Sequence, residues 1–254
     1  MKLLRRFFTM TGLLALFALV GACGSTSSSD DTVASTTATS APTETTIPVE
    51  TTIPADTTTS VAPTTTIPAA VQPAIWPAAD VVFTTPEAAA IDFLAHVFGE
   101  GPVLGEFMAG DSRSGEFEVF ATADGVIVGE ARSVLFMRQL GASDGWFVLA
   151  AGNETAGITS PESSATVAAG PLTVAGDASG YEATINISAF VAGDAARLDE
   201  QIAMAGNFGE VLPYSVTLDI EGAATGDVVV VLVIGTTGLE TDPGTFSAVP
   251  VIVG

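Results

Sequence analysis

The stretch Gly110-Asp111-Ser112-Arg113-Ser114-Gly115-Glu116 gathers hydroxyls, carboxylates and a guanidinium within seven positions, and His96 is the only histidine of the chain. Ser112 as nucleophile with His96 as base would make an acyl-transfer site. That chemistry also needs an acid to orient the base and donors aimed at the developing oxyanion. Ser112 sits in no strand-turn-helix elbow, and its segment runs directly into a strand pattern. We therefore read the stretch as a polar turn, with Arg113 expected to pair with Asp111, Glu116 or Glu118. Asp111, Ser112 and Glu116 as calcium ligands lack the spacing of an EF-hand loop. His96 follows Asp92 by four residues on one helical face, the geometry of a surface pair near a helix end. No catalytic residue, cofactor site or metal site is assigned; a hydrolase acting through Ser112 and His96 on an envelope glycan or peptide is the alternative.

Cys23 is the single cysteine of 254 residues. Lys2, Arg5 and Arg6 precede an apolar run from Phe7 to Val20, the layout of an export signal. The run is shorter than the roughly twenty residues a spanning helix needs. Val20-Gly21-Ala22-Cys23 resembles the lipobox of bacterial lipoproteins, and the resemblance implies cleavage before Cys23 and a diacylglycerol on its sulfur. A lone exposed thiol is a liability outside the cell, and alkylation removes it. Two acyl chains at about 0.8 kcal/mol per methylene make a stable anchor. Arg5-Arg6-Phe7-Phe8 partly matches the twin-arginine pattern, so the export route stays open.

From Ser25 to about Gln72 the chain is Thr, Ser, Pro, Ala and Val, with Thr-Thr-Ile-Pro recurring at Thr45, Thr51 and Thr65. Proline fixes φ and pushes its predecessor to extended geometry, and no unit carries an apolar face. The expectation is a disordered stalk, a candidate for O-linked sugars, reaching roughly 40 Å if flexible and ~150 Å if polyproline-like. The expected organisation is thus 1–22 signal, 23–79 lipidated cysteine and stalk, 80–157 a small α+β domain, and 158–254 a β-sandwich.

Charge narrows the function classes. Seven Lys and Arg stand against 29 Asp and Glu, and removing the three basic residues of the signal deepens the formal charge from −22 to −25. Nucleic-acid binding depends on neutralising phosphates and is excluded as an expectation. Anionic headgroups should repel the folded body, leaving the lipid as its link to the membrane.

The elements that must position these residues follow from periodicity. Thr85 as N-cap, Pro86 at the first helical position, Glu87 in the first turn and Gly99 beyond the end delimit a helix. Its buried stripe is expected at Ile91, Leu94, Ala95 and Phe98. Phe117 to Phe120 reads as a short strand, and Ser133 to Leu140 as a strand paired with Trp146 to Ala151 across an Asp-Gly turn. Trp146 and Phe147 face opposite sides, with burial of both expected. Downstream, Tyr181 to Val191 and Tyr214 to Glu221 alternate as half-buried strands, Val228 to Ile234 is a continuous branched run suited to a central strand, and Val249 to Val253 closes the chain. Turns are expected at Gly176-Asp177, Gly226-Asp227 and Asp242-Pro243-Gly244. Leu198, Ile202 and Met204 do not decide between helix and strand for Arg197 to Met204. The short connection around Gly152 and Gly157 predicts a defined, partly apolar contact between the two units.

Ile158-Thr159-Ser160-Pro161, Gly170 to Gly176, Tyr181-Glu182-Ala183 and Phe246 to Val251 resemble the Gmad2 family, the immunoglobulin-like domain associated with spore-germination GerMN domains. The resemblance covers 158–254 only; the family often has Phe where this chain has Tyr181, and the upstream unit does not look like GerMN. The half containing "GDSRSGE" resembles the companion region of actinobacterial Gmad2 lipoproteins. The implied fold is an all-β immunoglobulin-like sandwich after the α+β domain, in an envelope setting. The expected function is a lipoprotein presenting its domains for non-enzymatic binding of an envelope protein or wall polymer.

Overall fold

The computed structural model describes residues 72–254 apart from 208 and 240, so Cys23, the signal and the Thr/Pro-rich tract lie outside the described residues. Helix α1 spans Pro86–Phe98, followed by strands β1 (Val103–Ala109), β2 (Ser114–Ala123), β3 (Val126–Leu140) and β4 (Gly145–Gly152). The chain continues through β5 (Thr166–Val167), β6 (Pro171–Gly180), a 3-10 turn at Tyr181–Ala183, β7 (Thr184–Val191) and β8 (Arg197–Met204). It ends with β9 (Gly206–Asn207), β10 (Leu212–Asp219), β11 (Val228–Gly235) and β12 (Thr245–Val253).

α1 begins where the cap chemistry places it. Thr85 Oγ1 accepts the Ala88 N–H at 3.3 Å, and Gly99 closes the helix at φ 77°. Its buried face is Ala89, Ala90, Phe93 and Leu94, whereas Ile91 is 58% exposed. The expected stripe was rotated: Ala95 is exposed, and Phe98 only packs at the margin of the core. The two alanines let the helix approach the sheet closely while Phe93 fills the space between, its ring 6.2 Å from that of Trp76.

The large sheet runs β1-β2-β3-β4-β12-β11-β7-β8, with β5 pairing alongside the end of β12; the second sheet is β10-β6-β9. The two expected units therefore share one sheet. Ala248 of β12 pairs with Ala151 of β4, and Ser247 Oγ accepts the Asn153 N–H at 2.8 Å. Residues 72–254 lie within one compact unit. The ordered part also starts earlier than Asp80: Ile75 and Trp76 are buried, and Trp76 and Phe83 bridge to Val148 and Trp146 along the edge of β4. Tryptophan amid a Pro/Ala-rich run is what ties this segment down.

Two cores lie on opposite faces of the large sheet. One gathers Phe93 and Leu94 of α1 with Phe117, Leu135 and Met137 from β2 and β3, and with Val230, Leu232 and Phe246 from the C-terminal strands. The other fills the sandwich between the two sheets, with Val174 and Leu218 facing Ile185, Ile187, Val229, Val231 and Val233. Alternation along β11 sends successive side chains into different cores, which is why its sequence is apolar throughout. Strand β7 departs from the half-wet strand expected: Ser188 and Phe190 on its second face are also buried, and Tyr181 to Ala183 form the turn before it.

Other expectations resolve by pairing. Arg197 to Met204 is a strand, at the edge of the large sheet opposite β1. Phe117 to Phe120 lies within the ten-residue β2, and β1 was not anticipated. Gln139 pairs with Trp146 and Leu140 with Gly145, the expected hairpin register, with Asp144 at φ 52° in its turn. Gly176-Asp177 is not a turn. β6 runs straight through it, paired to Tyr214 and Pro213, and a Cβ at Gly176 would run into the Gly157 carbonyl. Glycine there serves a chain crossing, not a reversal.

Candidate binding site

Ser112 lies in the turn between β1 and β2, as expected for the polar stretch. The Asp111 carboxylate accepts the Arg113 N–H at 2.8 Å, and Ser114 Oγ accepts the Asp111 N–H at 3.2 Å. The backbone hydrogen bond from Arg113, followed by the Ser114 contact, holds the Asp111 carboxyl below its ordinary value. The Arg113 side chain reaches none of its expected acidic partners. It pairs with Asp144 at 2.6 Å and donates to the Gln139 carbonyl, because the hairpin folds the β3–β4 turn beside it.

His96 sits in the last turn of α1, with Nδ1 2.8 Å from the Asp92 carbonyl oxygen and 3.5 Å from the Asp92 carboxylate. The Asp92 carboxylate accepts the Trp76 indole N–H at 2.8 Å, and the Trp76 and His96 rings lie 5.2 Å apart. The structure thus places Asp92 and His96 in one helix-end cluster around Trp76. Among the described residues no hydrogen bond or ion pair joins Ser112 to His96. Nor does any group of three or more His, Cys, Asp or Glu side chains there lie close enough to hold a metal. Trp146 and Phe147 are both buried, each 8% exposed.

The buried charges serve the fold. Arg132, in the bulged part of β3, grips Asp242 with Nε and Nη2 at 2.8 and 2.7 Å, and the two side chains are 17% and 6% exposed. Asp242 also accepts the Gly244 N–H at 3.0 Å, so this pair fixes the loop between β11 and β12. Arg197 lies 4.7 Å over the Phe190 ring and donates to the Val97 carbonyl. Burial pushes its pKa down from the ordinary arginine value.

A depression of about 370 Å³ opens at one end of the sandwich, where the β6–β7 turn, the segment after β9 and the β11–β12 loop converge. Thr155, Ser179, Tyr181, Thr236, Thr237 and Thr245 supply its side chains, and Gly180, Gly209 and Gly235 its close walls. Two of these glycines are forced by packing, since a Cβ at Gly180 would strike the Thr184 carbonyl and one at Gly235 the Ser179 carbonyl, whereas Gly209 is set by its backbone at φ 86°. Tyr181 is held at the rim by an unusual turn. Glu182 and Ala183 both adopt left-handed backbone, φ 54° and 58°, at a cost of roughly 1–2 kcal/mol each. A Cβ at Gly238 would meet the Tyr181 ring at 2.8 Å, so that glycine lets the loop lie against the ring. Such strain persists where the surroundings over-determine it, and it clusters at binding sites.

Sequence reasoning missed this depression because its residues come from five separate places in the chain. The visible signal was local only: Gly180-Tyr181 and Gly235-Thr236-Thr237-Gly238 mark strand ends rich in glycine and hydroxyls. A second depression, about 360 Å³, lies on the open face of β1 to β4 beside Met108, Gly110, Ser114, Glu116, Phe136 and Arg138. Neither Ser112 nor His96 lines it.

No curated protein and no solved structure matches the chain. One family model does, over a span that runs from Thr155 at one wall of the hydroxyl-lined depression to Thr236 at another and takes in β5 through β11. β12, which completes the sheet, lies beyond that span, as does everything upstream of Thr155. Residues 155–236 match Gmad2, the immunoglobulin-like domain of bacterial spore germination.

Proposed function

We propose that this chain is a non-enzymatic binding lipoprotein of the bacterial cell envelope, of the actinobacterial kind its sequence resembles. Lipidated Cys23 anchors it to the outer face of the cell membrane, and the Thr/Pro-rich stalk holds the folded body away from the surface. The observation that carries the binding role is the immunoglobulin-like match, within a sandwich whose loop end offers a depression lined by Thr, Ser, Tyr and Gly. Domains of this type act by presenting surfaces. The partner class is an envelope protein or a wall polymer. The acidic body, at a formal −22 for the whole chain, disfavours polyanions.

Two measurements test the reading. Intact-mass analysis of the membrane-extracted protein should show a chain beginning at Cys23 and carrying acyl groups; a free thiol, or cleavage elsewhere, defeats the anchor. A fluorophosphonate probe should leave the purified protein unlabelled. Labelling at Ser112 that disappears in Ser112→Ala would establish the hydrolase in place of the binding module.

A further inference from the structure

We propose that the depression beside Tyr181 binds a neutral, hydroxyl-rich saccharide, an inference that rests on the envelope-binding reading and assigns it a site and a ligand class. The hydroxyl inventory points there. Ser179 Oγ accepts the Gly209 N–H at 3.2 Å and Thr237 Oγ1 accepts the Leu239 N–H at 3.4 Å, and among the described residues neither O–H has an acceptor, so both can donate to a ligand. Thr155 Oγ1 donates to Asn153 Oδ1 at 2.8 Å and Thr236 Oγ1 donates to the Thr184 carbonyl at 2.9 Å, which leaves both oxygens as acceptors. With the Thr245 hydroxyl on the same wall, donors and acceptors both converge on one space. An anion would use donors alone and an ammonium group acceptors alone; a sugar hydroxyl uses both.

The remaining features agree with this chemistry. Among the described residues no charged side chain lines the depression. Its size falls at the low end of the ~300–1,000 Å³ typical of small-ligand sites. The Tyr181 ring is 44% exposed at the rim and is fixed by the left-handed turn behind it, so it offers an ordered apolar surface for the C–H face of a sugar ring. A peptide adding itself as a strand would need an open strand edge. The walls here are strand ends and turns, and their polar groups are side-chain hydroxyls.

The test uses the full chain against immobilised oligosaccharides in three arms: neutral, amine-bearing and uronate-bearing, with a library of extended peptides as a fourth. Binding is expected in the neutral arm only. Tyr181→Ala should weaken it about tenfold, and Thr237→Val, which keeps the side-chain shape and removes the hydroxyl, by about threefold to tenfold. Should Tyr181→Ala lower the melting temperature, Thr237→Val decides the matter. No binding to any saccharide, binding confined to a charged arm or to peptides, or neutral binding that survives both substitutions would overturn the proposal. Sedimentation of the protein with isolated envelope fractions separates the two levels of inference. Wild-type binding that both variants retain removes this site and leaves the envelope-binding reading standing, whereas no wild-type binding removes that reading itself.

Discussion

Strands β2 and β11 belong to the same sheet and meet different surroundings. In β2, Phe117 and Val119 are buried under the helix while Glu116 and Glu118 face solvent. In β11 every residue from Val229 to Val233 is buried, the odd positions in the sandwich and the even ones in the core beneath α1. Strands β2 and β3 are covered on one face, and β11 on both. Alternating and continuous apolar patterns therefore report how many layers cover a strand, not which domain it belongs to. Phe246 and Leu232 come from the C-terminal strands yet pack in the helix-side core, so the two regions depend on each other.

The comparison can be broken most forcefully at Phe246, fully buried with its ring 4.5 Å from that of Phe98. Phe246→Ala should cost about 3–5 kcal/mol. Because the core is shared, a single melting transition should shift as a whole; two separating transitions would show that the regions fold independently. Arg132→Ala comes next, at about 3 kcal/mol, since it strands the buried Asp242 carboxylate. Adding Asp242→Asn should recover part of that loss by removing the uncompensated charge, and thermal denaturation of the pair checks this.

Tyr214 sharpens the sandwich side of the comparison. Its hydroxyl donates to the Gly157 carbonyl at 2.9 Å, and burial, with a smaller contribution from the Asp177 charge, pushes its pKa well above the ordinary tyrosine value. The folded-state value is raised, so the stabilisation is complete below about pH 10, where the unfolded tyrosine begins to ionise, and falls as pH rises from there. Tyr214→Phe should lose about 1–2 kcal/mol at neutral pH and show a shallower alkaline decline in a denaturant titration. The smallest effect belongs to the open face of β2. Glu118→Gln should change stability by less than ~0.5 kcal/mol. A larger change by denaturant titration would mean that this face is covered in the folded protein.

Much of the architecture was legible in local chemistry. The Thr85-Pro86 start and Gly99 stop of α1, the register of the β3–β4 hairpin and the central placement of β11 follow from capping, turn residues and branched runs. These depend on neighbours a few residues apart. The rotated helix stripe was less legible because alanine looks neutral in a hydrophobic pattern, yet Ala89 and Ala90 are buried to let the helix close on the sheet. The site was hardly legible at all. Ser112 and His96, the residues whose types suggested chemistry, occupy a turn and a helix end, and the hydroxyl-lined depression is built from residues with no shared motif.

The sequence by itself determined the secondary structure of the strongly patterned segments and the acidity of the chain, because both are sums over residue types and short-range spacing. It also contains the Cys23 motif on which the proposed lipid anchor rests. Only the tertiary structure decided that β4 and β12 join two expected domains into one sheet, that Trp76 enters the core, and that Arg132 meets Asp242 across 110 positions. It alone gathered Thr155, Ser179, Tyr181 and Thr237 around one depression. Such pairings lie beyond the reach of periodicity, since burial and hydrogen bonding between distant segments select the one arrangement in which both faces of β11 are covered and Arg132 is matched to Asp242.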